Sequence, residues 1–229
     1  MSIVMYDLVG ADDRRFSPHC WRIRMALAHK GLDYETRATS FTQIKAICDR
    51  QQKTLPVLQD GDTIVGDSWE IAQYLENTYP DHPSLFGGDA DRNLTVFIQN
   101  WTAAVLQLGL FGLIVLDIHE HLLPEDKDYF RQSREQRLGQ SLEDAQAGRE
   151  NRLEGLRKSL QPLRMSVRTQ AFLSGDQPLY ADYLVFSAFQ WARSISPLRI
   201  LEDDDPVYAW FGRCLDLYDG LGRNTPGYY

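Results

Sequence analysis

At 229 residues, with 43% hydrophobic and 24% charged residues, the chain has the composition of an ordinary globular protein, and collagen-like or disordered classes are excluded. Its 24 Lys and Arg against 32 Asp and Glu leave a formal charge of -8, the wrong sign for a nucleic-acid backbone, so no nucleic-acid partner is expected. Three separated cysteines, Cys20, Cys48 and Cys214, offer neither a disulfide framework nor metal-ligand spacing, which predicts a cytoplasmic protein without a metal.

The opening MSIVMYDLVG carries no basic segment followed by a long apolar run, so no secretory signal is expected. Ile3 to Leu8 is a short apolar run with a polar step at Asp7, and it predicts a buried strand. A helix follows from Ser17, with Trp21, Met25 and Ala28 on one side and Gly31 as its stop. Asp33 to Ala38 alternates Tyr34, Thr36 and Ala38 against Glu35 and Arg37, the pattern of a half-buried strand. Phe41 to Asp49 predicts a short helix, and TLPVLQDGDTIVGDS predicts two strands around Asp60-Gly61-Asp62. Ile71, Tyr74, Leu75 and Thr78 mark one more amphipathic helix. The resulting order, with a βαβ crossover first and a hairpin last, is thioredoxin-like.

After YPDHPSLFGGDAD the texture becomes helical, with helices expected near 93–121, 126–147, 150–170, 179–193 and 206–219. The fold expected is therefore an α/β thioredoxin-like domain over residues 1–80, a linker over 81–92 and an all-α helical bundle over 93–229. The most apolar run, Val105 to Leu116, stops short of the ~20 residues that span a bilayer, and it reads as a buried helix. Asp126 to Gln170, dense in Arg and Glu, reads as a solvated helix pair, with a subunit contact as the alternative.

Three signals in the first 80 residues carry chemistry. Ser17-Pro18-His19-Cys20 stands where the first helix begins, and a helix start stabilises a nearby anion such as a thiolate. A hydroxyl at position 17 is placed to donate to that sulfur. Ser17 and Pro18 are equally the preferred N-cap and N1 residues of a purely structural helix start. The spacing resembles a C-x-x-C redox motif with its first cysteine replaced, so dithiol exchange is excluded there, and Cys20 reads as a buried small residue. Leu55-Pro56 opens a strand; a cis bond there would expose the Leu55 backbone to a peptide-like ligand. Asp67 with Glu70 fits a capping box, while Asp67 and Ser68 together also suit an α-amino-acid head group.

Jointly these signals describe the two ends and the middle of a short peptide thiol, and with them the sequence strongly resembles the glutathione transferase superfamily over nearly its whole length. More narrowly, SPHCWRIRMALAHKGLDYE, GDSWEIAQYLENTYPDHPSLF, LPEDKDYFRQSREQRLGQSLEDAQAGRENRL, SGDQPLYADYLVF and DLYDGLGR resemble the lignin β-aryl-etherase branch and its etherase-like relatives. The resemblance implies glutathione as co-substrate, Ser17 as thiol activator, Leu55 with Pro56 at the cysteinyl unit, and Asp67 and Ser68 at the γ-glutamyl end. Lys53, with Lys45 as the other local cation, is implied for the glycyl carboxylate. It further implies an apolar, aromatic second substrate held between the domains, and a homodimer. Candidate walls are Val9 to Phe16, His19, Trp21, Trp101, Phe111 and His119.

Two functional readings stay open at this level: a transferase, including β-aryl ether cleavage, and a non-catalytic binder of glutathione or hydrophobic ligands on the same scaffold. One position departs from the superfamily pattern. Where Ser or Thr usually caps a core helix three residues before an Asp, this sequence has Leu179-Tyr180-Ala181-Asp182, leaving Asp182 as half of a capping box.

Overall fold

The computed structural model of the chain describes residues 3–47 and 53–229. Strand β1 (Ile3–Leu8) is followed by helix α1 (Pro18–His29) and strand β2 (Tyr34–Thr39), then by the hairpin β3 (Val57–Asp60) and β4 (Thr63–Gly66) and helix α2 (Ser68–Thr78). The sheet order is β2-β1-β3-β4, with β1 and β2 parallel and the other pairs antiparallel, the expected thioredoxin-like arrangement. Gly61, at φ 59°, takes the first central position of the two-residue hairpin turn, which calls for a positive φ.

Position in the sheet decides burial. Central β1 is buried apart from Tyr6, and even Asp7 is 1% exposed, facing Arg15 at 3.3 Å and Arg24 at 3.6 Å. Edge strand β2 departs from the half-buried alternation expected of it: Glu35, Thr36, Arg37 and Ala38 are all exposed, because no layer covers that edge. The short helix expected over Phe41 to Asp49 is, where described, a single 3₁₀ turn, Ile44–Ala46; Cys48 and Asp49 lie outside the described residues.

The rest is helical: α3 (Asp89–Trp101), α4 (Leu108–Glu120), α5 (Pro124–Leu138), α6 (Leu142–Gln146), α7 (Arg149–Ser159), α8 (Gln161–Val167), α9 (Tyr180–Ile195) and α10 (Pro206–Gly220). Two expected helices are broken. Gly139 ends α5 at φ 69°, and Pro162 opens α8, where its missing N–H costs nothing.

Helices α3 and α4 run on through one π turn, Thr102–Gln107, making a helical stretch Asp89–Glu120 of 32 residues with an 18-residue window of mean hydropathy 1.9. By length and composition it meets the requirement for a membrane span, which the run ending at Leu116 does not. In the fold, Leu106, Leu110, Leu113, Ile114 and Ile118 are buried in the core, and α4 packs on α6, α7 and α9.

Helix α9 is the hub of the bundle. All its residues but Ala181 are buried, so it is covered on every side. Leu179 has no side-chain acceptor at the N-cap, yet Asp182 Oδ2 accepts the Leu179 N–H at 3.2 Å, as the half-box predicts. The same carboxylate accepts Leu173 N–H at 2.7 Å and the Trp210 indole at 3.0 Å.

Both lobes meet across α1 and α9, where Trp21 packs edge-on against Phe186 at 6.1 Å. Several polar ties fix their relation, Arg14 to the Ser194 carbonyl and His29 to the Tyr183 hydroxyl among them. Tyr180 hydroxyl donates to the Ser68 carbonyl at 2.9 Å, and Ala11 N–H donates to the His121 carbonyl at 2.8 Å. Buried Asp126 accepts Phe41 and Thr42 N–H at 2.9 Å each and the Thr42 hydroxyl at 3.0 Å. The Ala11 tie needs glycine at position 10, since a Cβ there would stand 2.4 Å from the His121 oxygen.

Candidate functional site

The N-terminus of α1 is built by Ser17 as N-cap and Pro18 at N1. Ser17 Oγ accepts the Cys20 N–H at 3.3 Å, so one oxygen lone pair is engaged, and the hydroxyl also meets the Cys20 thiol. Ser17 lines a cavity of about 720 Å³ between the lobes, and Lys53 and Leu55 line the same cavity. The Leu55-Pro56 bond is cis.

Cys20 lies in the core behind Ser17, 1% exposed. Burial first, and then the Asp7 charge, push its thiol well above the ordinary range, and the Leu8 backbone and Ser17 offset this only in part. A thiol held in that form is a poor nucleophile, and it leaves no attacking sulfur at this helix start.

Asp67 and Ser68 stand at the start of α2 and do not line the cavity. Asp67 is exposed at φ 68°, and its Oδ1 accepts Trp69 N–H at 2.8 Å and Glu70 N–H at 3.3 Å, so the Asp67 half of the expected capping box forms, while the Glu70 carboxylate accepts from Gln73. Ser68 is 3% exposed, and its hydroxyl oxygen accepts from Arg22 Nη1 at 3.3 Å. Sequence reasoning missed Arg22: it lies on the inward face of α1, 3% exposed, and its Nε and Nη2 have no partner among the described residues. A charged residue among the apolar positions of an amphipathic helix is the signal that was available.

The other half of the cavity is aromatic. Phe111 stacks on Trp191 at 6.3 Å with 22° between the planes, and Phe41 packs on Phe130 at 5.8 Å. Of the walls expected from sequence, Phe16, His19 and Phe111 line the cavity; Trp21 is buried in the core, and Trp101 and His119 lie off the lining. Phe41, Tyr129, Phe130 and Trp191 were missed, since nothing local in a sequence says which aromatic faces an inter-lobe space.

Helix α5 is solvated over most of its length, as its composition implies, with only Asp126 and Phe130 buried, but one of its faces borders the cavity. Arg134 and Arg137 face the cavity, Arg134 over the rings of Phe130 at 4.7 Å and Phe41 at 5.5 Å, Arg137 over Phe111 at 4.8 Å. Their signal was an i, i+3, i+6 arginine row, 131, 134 and 137, on one helix face.

Comparison with known proteins places this geometry. Residues 93–216 match the glutathione S-transferase C-terminal domain, and residues 13–83 match the glutathione S-transferase N-terminal domain. The chain belongs to the glutathione S-transferase family. Glutathione is the co-substrate of that family.

A glutathione S-transferase of wheat, Triticum aestivum, is 35% identical over 112 residues, 46% of this chain and 50% of the wheat protein, so the chain spans about half the length of that relative. Among solved structures, glutathione transferase GSTFuA3 from Phanerochaete chrysosporium is similar at a TM-score of 0.77 and 29% identity, over 96% of this chain and 92% of that one. A glutathione S-transferase of Ceriporiopsis subvermispora, solved in complex with glutathione, shares the fold at a TM-score of 0.84 and 24% identity over 99% of each chain.

Proposed function

We propose that the protein joins glutathione to an aromatic electrophile, with Ser17 holding the glutathione sulfur as thiolate. The observation that carries this reading is the Ser17 hydroxyl itself: it opens a helix, lines the inter-lobe cavity, and has its oxygen engaged by Cys20 N–H, so that turning its hydrogen from the Cys20 thiol to a bound sulfur anion is all that the reading asks of it. A hydrogen bond to the charged form lowers a thiol pKa from its reference of ~8.5.

The residues nearby fit the tripeptide. The Leu55 backbone before cis-Pro56 suits the cysteinyl unit, and Lys53 at the cavity edge suits the glycyl carboxylate. Asp67, exposed at the start of α2, suits the γ-glutamyl ammonium, and Ser68 with the α2 N-terminus suits its carboxylate. In the reaction the thiolate sulfur forms a bond to an electrophilic carbon, and the leaving group departs with its electron pair. In the etherase version that group is an aryloxide on the carbon next to a ketone, a reading supported by the sequence stretches shared with that branch and by the aromatic walls of Phe41, Phe111, Phe130 and Trp191. A cytoplasmic homodimer accompanies this reading.

Ser17→Ala tests it. Retained glutathione binding with the bound thiol titrating about 1 to 2 pH units higher, and turnover of an aryl halide near pH 6.5 falling about 10- to 100-fold, is the expected result. Unchanged ultraviolet thiolate absorbance in the variant removes Ser17 from the mechanism. Turnover of a β-aryl ether ketone against an aryl halide decides the leaving group.

A further inference from the structure

The aromatic half of the cavity carries more positive charge than an apolar acceptor needs. Arg134 and Arg137 both line it, and among the described residues no carboxylate lies within ion-pair distance of either. The chain holds 32 acidic residues, and the nearby ones are otherwise engaged: Arg131, one turn before, takes Glu135 at 2.8 Å and Glu143 at 2.9 Å. Arg134 donates to the Ser133 hydroxyl at 2.9 Å and is half-buried. Burial, and then the Arg137 charge, hold its guanidinium below its ordinary value, with Tyr129 acting the other way. Arg137 is exposed and Arg134 half-buried, so the repulsion between the two is felt chiefly at Arg134, and an anion joining them would relieve it.

Geometry makes the pair a ready receptor. The guanidinium carbons lie over the rings of Phe41, Phe130 and Phe111, which restrains them, and a guanidinium carries the fork of N–H groups that matches a carboxylate. A third donor faces the same space: Gln107, at the end of the π turn, lines the cavity, and its buried Nε2 has no acceptor among the described residues. A π turn in a long helix commonly marks a functional position. Aromatic walls, two unpaired guanidinium groups and an unpaired amide describe a flat ring with an acidic substituent.

We propose that the second substrate is an aromatic compound bearing a carboxylate, held at the cavity wall by Arg134 and Arg137. This rests on the transferase reading for its reaction, though recognition of the ring and its charge does not depend on Ser17. The other carboxylate that these arginines are able to meet is the glycyl end of glutathione, and the test separates the two.

Binding of 3-nitrobenzoate and of its neutral isostere 3-nitrobenzamide, measured by calorimetry on the wild type and on the Arg134→Gln/Arg137→Gln variant, reads recognition without turnover. The expected result is at least tenfold tighter binding of the benzoate than of the amide by the wild type, a preference that weakens with added salt and collapses towards unity in the variant. The single variants, Arg134→Gln and Arg137→Gln, each lose part of it. With glutathione present, the kcat/KM ratio of 4-chloro-3-nitrobenzoate to 1-chloro-2,4-dinitrobenzene falls about tenfold in the double variant, chiefly through KM. Equal binding of benzoate and amide by the wild type overturns the proposal, as does a preference that survives in the variant. A tenfold loss of glutathione affinity in the variant, with the benzoate preference intact, assigns the pair to the tripeptide and also overturns it. Should the protein turn over neither aryl halide yet keep the arginine-dependent preference, the transferase reading fails and this one stands.

Discussion

Lys30 shows how one side chain is made to serve a fold. It follows α1 directly, is 1% exposed, and donates to the Tyr79 and Pro83 carbonyls at 3.1 Å each while pairing with Glu76 at 3.0 Å. One ammonium thus ties α1, α2 and the segment leading to α3. Lys30→Met is expected to lower the unfolding free energy by about 3 kcal/mol, since it strands a carboxylate and two carbonyls; urea denaturation at neutral pH measures it. Glu76 gives the same contact a pH signature. Burial alone would raise its carboxyl, but Leu85 N–H, the Ser84 hydroxyl and Lys30 outweigh that and hold it below the ordinary range. A depressed carboxyl stabilises the fold fully above its unfolded pKa of ~4.3, and that stability is lost as pH falls through the lower folded value. Glu76→Gln should therefore flatten the acid limb of stability against pH below about 4.5 and leave the slope near pH 7 unchanged, as urea midpoints taken across that range would report.

At the scale of elements, the first turn of α9 is incompletely capped. Leu179 has the extended φ of -125° that an N-cap requires but offers no acceptor to the orphan N–H groups. Leu179→Thr should raise the unfolding free energy by about 0.5 to 1 kcal/mol, the cap being offset in part by lost leucine packing, and should shift the thermal midpoint upward. Such local logic is what the sequence made legible. Ser17-Pro18 before α1, Gly31 after it, the Gly61-Asp62 hairpin turn and Asp67 before α2 each signal themselves within a few residues, because caps and turns are short-range chemistry. Burial was harder to read. The alternation of β2 did not mean a buried face, because edge position is a property of the sheet and not of the strand. The π turn left no mark in the apolar run of Val105 to Leu116. The side of the cavity that holds Ser17 and Leu55 was legible for the same reason as the caps, since it is made of a helix start and a strand start. The aromatic side was not: Phe41, Phe130, Phe111 and Trp191 come from four separate parts of the chain, and only the lobe arrangement brings them to one cavity.

At the scale of the molecule, one surface and one seam remain to be tested. Leu94 and Phe97 on α3 are 66% and 67% exposed, and Ile64 on β4 is 41% exposed. Apolar side chains left open in both lobes are what a subunit contact would cover, in keeping with the proposed homodimer. Phe97→Glu is expected to convert the dimer to monomer at micromolar concentration in analytical ultracentrifugation without loss of helical circular dichroism. The seam is Asp126. Its carboxylate, 0% exposed, belongs to α5 but is spent on the first-lobe segment that carries Phe41, so one residue sets both the seating of the lobes and the position of an aromatic wall. Asp126→Ala leaves two backbone N–H groups and the Thr42 hydroxyl without their acceptor at a buried seam. A loss of about 2 to 4 kcal/mol in unfolding free energy should follow, with water reaching the segment limiting the cost. The functional effect should be lopsided. The proposed glutathione contacts at Ser17 and Leu55 lie on elements that Asp126 does not touch, so glutathione affinity is expected to stay within about twofold. The KM for an aromatic acceptor should rise about 5- to 20-fold as Phe41 leaves its place over Phe130, a change of about 1 to 2 kcal/mol in acceptor binding. Steady-state kinetics with each substrate varied in turn reads both numbers. Equal losses for the two substrates would mean that Asp126 supports the fold as a whole and not the wall.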